Sequence, residues 1–280
     1  MNLEQHPKLQ EAIDYGYEFN IGQFFQQGLD LIKRNTGGFI AYTLVYFAIV
    51  LGVGIIPILG NIAGIIIGPP LAAGWFIVAN KLHKNTNTEF GDFFKGFDYL
   101  GQLILVYIIS VLIYLIVMTP AFIAGFSMAF MSLDGYNDSL PVTFIITMLV
   151  VAVPVIYLAV SWRWAPMFVV FYNMGFWDAM ETSRKIVTKR WFAHFALGLV
   201  IMLFFMVAGA VFVIGIAATG ATGMDMFASA FVVIGMLIFF VAMLLVAPFY
   251  QCVEYSAFAN VTRLMEGEGS KDDIVDHLVE

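Results

Sequence analysis

Several uninterrupted apolar runs in this chain exceed about 18 residues, the length at which a bilayer span becomes the default reading of a sequence. No other feature constrains the fold as strongly. A chain in hydrocarbon has no water to satisfy its backbone N–H and C=O groups, so runs of this length are expected to fold as membrane-crossing helices. The residue balance agrees. Of the 280 residues, 61% are hydrophobic and 12% are charged, with a mean hydropathy of +0.89. An ordinary soluble domain carries about 25% charge. These values exclude a disordered chain, a nucleic-acid binder and a disulfide scaffold, and argue against a soluble enzyme. The single cysteine, Cys252, also excludes an internal disulfide.

Six spans are predicted, at about 39–58, 62–82, 100–126, 142–172, 192–218 and 227–265. Pro57 and Gly60-Asn61 supply a tight turn between the first two. Pro154, Arg163 and Pro166 interrupt the fourth, and Pro248 the sixth. The predicted fold is all-α and polytopic: six transmembrane helices arranged as three hairpins, with short cytoplasmic interfacial amphipathic helices. Residues 1–38 form a cytoplasmic segment with one such helix, 39–265 the membrane domain and 266–280 an acidic cytoplasmic tail. The first 38 residues are too polar for a signal-peptide core, so the chain is expected to enter the membrane through its own first span.

The basic residues orient this arrangement. All 13 Lys and Arg fall before span one, between spans two and three, near or in the connection from four to five, or after span six. The opposite connections, near 57–61, 127–141 and 219–226, contain no Lys or Arg and carry only Asp134, Asp138 and Asp225. The positive-inside rule then places both termini in the cytoplasm, and the expected location is the bacterial inner membrane.

The segments that lead into spans one, three and five look alike. They are Ile21-Gly22-Gln23-Phe24-Phe25-Gln26-Gln27-Gly28-Leu29-Asp30, Phe90-Gly91-Asp92-Phe93-Phe94-Lys95-Gly96-Phe97-Asp98, and Gly175-Phe176-Trp177-Asp178-Ala179-Met180 with Ser183 and Ile186 beyond. A Phe pair followed by Gly, a hydrophobe and Asp recurs in the first two. One reading is a threefold repeat of an interfacial helix plus a hairpin. The other is that any cytoplasmic helix lying on lipid needs Phe on one side and charge on the other. Pro70, Pro166 and Pro248, each followed by Asn80, Asn173 or Asn260, recur on the even-numbered spans in the same way.

The stretch Gly91-Asp92-Phe93-Phe94-Lys95-Gly96-Phe97, preceded by the span end from Trp75 to Lys84, resembles the YciC-like bacterial inner-membrane proteins. So does Trp177-Asp178-Ala179-Met180-Glu181-Thr182-Ser183-Arg184, followed by Lys189-Arg190-Trp191-Phe192. The resemblance covers roughly residues 70–200. A related six-span region is fused to some bacterial glycerophosphodiester phosphodiesterases as a membrane domain. Members of this group are mostly of unknown function, so the resemblance implies a fold more than an activity. No soluble segment here is long enough to hold the phosphodiesterase domain, and no catalytic residue is carried over.

Four sets of residues stand out as candidate sites. Gly60, Gly64 and Gly68, spaced by four and followed by Pro69-Pro70, form a stripe suited to close helix packing or to lining a narrow passage. Arg163, between Trp162 and Trp164, either snorkels from the end of span four or is buried; if buried it needs a partner, for which Glu254 is the best candidate. Arg184, Lys185, Lys189 and Arg190 form a basic cluster that suits anionic lipid headgroups and also enforces topology. Asp134, Asn137 and Asp138 read as a hydrated turn with too few ligands for a cation. The histidines His6, His83, His194 and His277 are scattered singly, and His194 reads as a structural interfacial residue.

No nucleophile with a base, no paired intramembrane carboxylates and no histidine-rich metal set is visible, so no cofactor, metal or enzymatic activity is expected. The expected function is that of a non-catalytic, envelope- or lipid-associated scaffold or accessory subunit. The alternative is a passive transporter or channel for a hydrophobic or amphipathic small molecule. Membrane lipids are the expected partners, with a second copy or another membrane protein beside them and no nucleic acid. Topology is directly testable. On a Cys252→Ser background, Asp138→Cys should react with an impermeant maleimide added outside intact cells. Lys95→Cys and Lys189→Cys should react only after permeabilisation, and the reverse pattern would overturn the orientation.

Overall fold

The structure is a computed structural model; it describes residues 7–56, 59–133, 142–222 and 226–264. All regular elements among these residues are helical. They are α1 (Pro7–Tyr15), α2 (Ile21–Arg34), α3 (Thr36–Gly54), α4 (Leu59–His83), a 3-10 helix (Phe90–Tyr99), α5 (Leu100–Leu133), α6 (Val142–Ser161), α7 (Ala165–Tyr172), α8 (Phe176–Thr188), α9 (Trp191–Thr222) and α10 (Met226–Thr262). By length and composition, five helices can cross a membrane, or six if α8 and α9, which meet at a bend of 95°, are taken as one broken span. The element order matches the expected succession of apolar helices and short polar segments. It differs in having a second short helix, α1, before α2, in the break between α6 and α7, and in the element before α5. The Phe-rich segment of that element winds as a 3-10 helix, and Asp92 folds back to accept the Glu89 N–H at 2.8 Å at its first turn.

Packing divides the molecule into two halves. At the end that carries most of the basic residues, the second half of α4, all of α7 and the last turns of α10 form a dense core. Trp164, Phe168, Tyr255 and Phe258 are fully buried there, and Phe258 meets Phe168 edge-on at 5.0 Å between ring centres. Polar bonds knit the same helices together. The Tyr255 hydroxyl donates to Asn80 Oδ1 at 2.9 Å, joining α10 to α4. Asn173 ends α7 in the left-handed region, φ 49°, which asparagine tolerates better than most side chains. Asn260 donates to Gln27 Oε1 at 2.7 Å. Asn80 thus joins two long helices, Asn173 ends a short one, and Asn260 joins α10 to the short α2.

The short helices clasp this core. On α2, Phe24, Gly28 and Leu31 follow one another at helical spacing and are buried against α10. Asn20 caps α2 by accepting the Gln23 N–H, and Asn35 caps α3 by accepting the Gly38 N–H, both at 3.1 Å. The 3-10 helix lies along α4, and α8 packs against α7 and α6. Each of the three look-alike segments named from the sequence therefore rests on a core helix: α10, α4 or α7. Asp92 pins the 3-10 helix by accepting Lys81 and Lys95 together, each at 2.7 Å, with its own side chain buried.

Away from this core the long helices are exposed. Leu51, Ile116, Phe126, Leu149, Leu203 and Leu237 all face outward. So much apolar surface is untenable in water and ordinary in hydrocarbon.

At Gly28, Gly60, Gly74 and Gly96 backbone meets backbone, and all but the Gly60 contact seat a short helix. A Cβ on Gly28 would lie 2.6 Å from Val253 Cγ2 and 2.9 Å from the Val253 amide nitrogen. A Cβ on Gly74 would strike the Phe93 carbonyl oxygen. Gly64, by contrast, has nothing within 4 Å of where its Cβ would be. Gly28→Ala and Gly74→Ala should each destabilise the protein by about 1–3 kcal/mol, the usual cost of overpacking. Gly64→Ala should leave stability unchanged. Thermal midpoints of the purified protein in detergent measure both.

Candidate functional site

A cavity of about 740 Å³ lies among α3, α4, α5, α10 and the α6–α7 junction. It follows α4 from Gly60 to Phe76, about 24 Å of helix at 1.5 Å per residue. Its walls are mostly aliphatic and aromatic. Three of them, Val50, Ile65 and Tyr107, are also 43%, 37% and 45% exposed, so the cavity opens sideways between α3, α4 and α5. The packed core of the basic end, with Trp164 and Phe168, lies beyond its inner end.

The glycine stripe is part of this cavity. Gly60, Gly64 and Gly68 line it together with Pro69. Only Gly60 is used for close packing, against the Val53 carbonyl across the turn from α3; Gly64 and Gly68 face no neighbour. Close backbone approach in the stripe is therefore confined to Gly60. Pro70 is buried, and its carbonyl packs where a Cβ on Gly96 would lie. Pro69 and Pro70 sit inside α4 without ending it.

Arg163 stands at the inner end of the cavity. α6 ends at Ser161 and α7 starts at Ala165, with Pro166 in its first turn. A proline inside a continuous helix would lack its N–H and press its ring on the carbonyl four residues back, here that of Trp162. The chain therefore breaks over 162–164, and the break turns Arg163 inward. Its side chain is only 14% exposed, so it does not reach out to the surface as a snorkelling residue would. Nη1 lies 3.0 Å from Glu254 Oε1 and donates to the His194 carbonyl at 3.0 Å. Glu254, with 4% of its side chain exposed, accepts the Trp164 indole N–H at 3.1 Å through Oε2.

These bonds do not use the whole pair. Among the described residues, Arg163 Nε and Glu254 Oε1 have no hydrogen-bond partner, although Oε1 makes the ion contact just given. Both residues line the cavity, with Tyr250 and Gln251 beside them. Tyr250 was not visible as a site residue from the sequence alone. The signal was its spacing: four residues before Glu254 on one helix places both on the same face.

His194 is also more central than a lone interfacial histidine. It is fully buried, its ring lies 4.6 Å from Trp164, and Nε2 is 2.7 Å from the Tyr17 hydroxyl. Burial, partly offset by Arg190, pushes the Tyr17 phenol above its ordinary range, so the hydroxyl stays protonated and donates to the Ile186 carbonyl at 3.1 Å. The basic cluster is partly neutralised. Arg184 holds Glu181 through two bonds of 2.7 and 2.8 Å, and Lys185 is 3.6 Å from the same carboxylate. Arg190 donates to the Tyr17 carbonyl at 3.2 Å, and Lys189 is exposed. Among the described residues, no three His, Cys, Asp or Glu side chains come together to hold a metal ion. Asp134, Asn137, Asp138 and the tail 266–280 lie outside the described residues.

Fold and site together define an all-helical protein with several membrane-length apolar helices and a side-opening cavity that ends on a buried ion pair. Comparison with protein-family models, with curated proteins and with solved structures finds no match.

The pair should behave as one unit. Glu254→Leu leaves Arg163 buried without its counter-charge, which costs about 3–5 kcal/mol in comparable sites. Replacing both members by apolar residues is often neutral. Arg163→Met combined with Glu254→Leu should therefore recover most of the stability lost in Glu254→Leu. Denaturation midpoints of the two variants and the parent protein measure this, and an additive loss in the double variant would count against the pair as a stabilising unit.

Proposed function

We propose that this chain is a non-catalytic, multi-pass protein of the bacterial inner membrane that works on or through lipid, as an envelope-associated scaffold or accessory subunit. In this reading the membrane domain has six spans in three hairpins, both termini are cytoplasmic, and α2, the 3-10 helix and α8 lie at the cytoplasmic interface. Kinship with the YciC-like proteins belongs to the same proposal and rests on the motifs at 91–97 and 177–192.

The observation that carries the lipid reading is the side-opening cavity. Its volume lies within the range of about 300–1,000 Å³ typical of small-molecule sites. Its mouth is bounded by Val50, Ile65 and Tyr107 on helices that can cross a membrane, so a molecule would enter from the hydrocarbon rather than from water. An acyl chain fits such a space by shape and polarity. The exposed apolar surfaces of α5, α6 and α9 leave room for a further membrane partner.

The same cavity supports the second reading, a passive transporter for an amphipathic molecule. Transport also requires an exit. The buried Trp164, Phe168, Tyr255 and Phe258 occupy the basic end, so this reading needs a rearrangement of the most densely packed part of the protein. The binding reading needs none, and we favour it.

Native mass spectrometry of the protein extracted with its own lipids tests the proposal. One amphiphile should be retained at fixed stoichiometry. Gly64→Phe, which places a ring in the open space beside α4, should abolish that retention without unfolding the protein. Retention unchanged by Gly64→Phe and by Gly68→Phe would place the lipid on the outer surface and overturn the cavity reading.

A further inference from the structure

The cavity offers a ligand no charge to pair with. Among the described residues its only charged lining residues are Arg163 and Glu254, and both are spent inside the protein. The guanidinium turns toward α9: Nη1 donates to the His194 carbonyl, and Nη2 lies 3.1 Å from where a Cβ on Gly198 would be. Glu254 Oε2 accepts the Trp164 indole N–H, and Arg163 Nε and Glu254 Oε1 are sealed from the cavity. Two of the neutral polar groups are also committed. Tyr250 is hydrogen-bonded with Arg163, and the Ser110 hydroxyl donates to the Val106 carbonyl at 2.7 Å.

The remaining polar side chains on the lining are Tyr46 on α3, Tyr107 and Tyr114 on α5, Trp162 in the α6–α7 break and Gln251 on α10. All five are half-buried or exposed, so a molecule in the cavity can reach them. Among the described residues none of the five has a side-chain hydrogen-bond partner. Tyr107 and Tyr114 are seven residues apart and share a face of α5, and the Tyr114 ring lies 5.9 Å from that of Trp162. The set is rich in donors: three phenol O–H groups, an indole N–H and an amide that both donates and accepts. Such groups in hydrocarbon cost free energy until something accepts from them. A phosphate entering sideways from hydrocarbon would bring acceptors, but it would lose its water and find no accessible counter-charge, a penalty of several kcal/mol. The ligand that fits is therefore uncharged and rich in acceptor oxygens. A long-chain alcohol has a single oxygen to share among these walls. An isoprenoid quinone has carbonyls but no donor for Gln251 Oε1. A diacylglycerol has ester oxygens for the donors and a free hydroxyl for the Gln251 amide.

We infer that the cavity is a diacylglycerol site that excludes charged phospholipid headgroups. This step rests on the cavity-binding reading above and names the class of lipid. The ester oxygens accept from the tyrosines and Trp162, and the free hydroxyl donates to Gln251. One acyl chain runs along α4 past Gly68 and Gly64, where no neighbouring atom lies within 4 Å of either glycine's Cβ position. The other leaves through the side opening between α3, α4 and α5. Binding is non-covalent.

The test uses the full-length protein, delipidated in detergent, and measures binding of tritiated dioleoylglycerol in competition with dioleoylphosphatidylglycerol, dioleoylphosphatidylethanolamine and menaquinone. The expected result is one dioleoylglycerol per chain, bound about tenfold more tightly than each competitor. Tyr114→Phe and Tyr46→Phe remove only a hydroxyl and should each weaken dioleoylglycerol binding about two- to tenfold, the usual worth of one hydrogen bond. Binding unchanged in both variants would overturn the assigned bonds. If either phospholipid binds as tightly as dioleoylglycerol, and Gly64→Phe still abolishes that binding, the exclusion of charge is wrong and the cavity reading stands. Tighter binding of menaquinone overturns the diacylglycerol assignment in the same way. Binding of none of the four lipids would overturn both readings. The comparison among lipids is made on the parent protein and does not depend on any variant folding.

Discussion

The contact between Arg163 and Glu254 ties together parts of the chain that are far apart in sequence. Arg163 lies in the break between α6 and α7 and Glu254 near the end of α10, while the His194 carbonyl that Arg163 also holds belongs to α9. Trp164, next to Arg163, hydrogen-bonds to the same glutamate and packs its ring against His194 and Phe258. A charge in such surroundings is tolerable only with its counter-charge in place, because desolvation of either ion alone costs several kcal/mol. The pair therefore links the positions of α6–α7, α9 and α10, and the dense half of the protein is arranged around it.

The short helices complete that half. Each of the three rests on an element of the core: α2 on α10, the 3-10 helix on α4, and α8 on α7 and the end of α6. Two of these seats are so close that a Cβ would collide with the neighbouring chain, at Gly28 and at Gly74. Close approach of this kind fixes position more tightly than side-chain packing, because backbone atoms cannot rotate away. The other half of the long helices has no such clasp, and it is between those less constrained segments that the cavity opens.

Much of the candidate site was legible as a set of oddities. Arg163 and Glu254 were conspicuous because a charge in an apolar run needs an explanation, and the glycines because of their spacing. What they do with one another was not legible. Whether Arg163 snorkelled or turned inward hung on a break of three residues, and a proline at 166 allows either a terminated span or a kinked one. The stripe at 60, 64 and 68 looked suited to another helix, yet two of its three members have no neighbour within 4 Å of where a Cβ would lie. Tyr17 and His194 meet across 177 residues of sequence, a separation at which no local pattern gives warning.

The sequence by itself determined the all-helical class, the boundaries of most long elements to within about four residues (α5 runs to Leu133 rather than 126), and the location of α2, the 3-10 helix and α8, but not α1 or the separate α7. The reason is that those properties are local: apolar runs of a given length, caps such as Asn20 and Asn35, and prolines act through neighbouring backbone. The tertiary structure alone decided that α4, α7 and the end of α10 form the core, that the charges at 163 and 254 meet, and that a cavity lies beside Gly64 and Gly68. Those outcomes depend on which backbones can touch, and they arise from contacts between residues that the sequence keeps far apart.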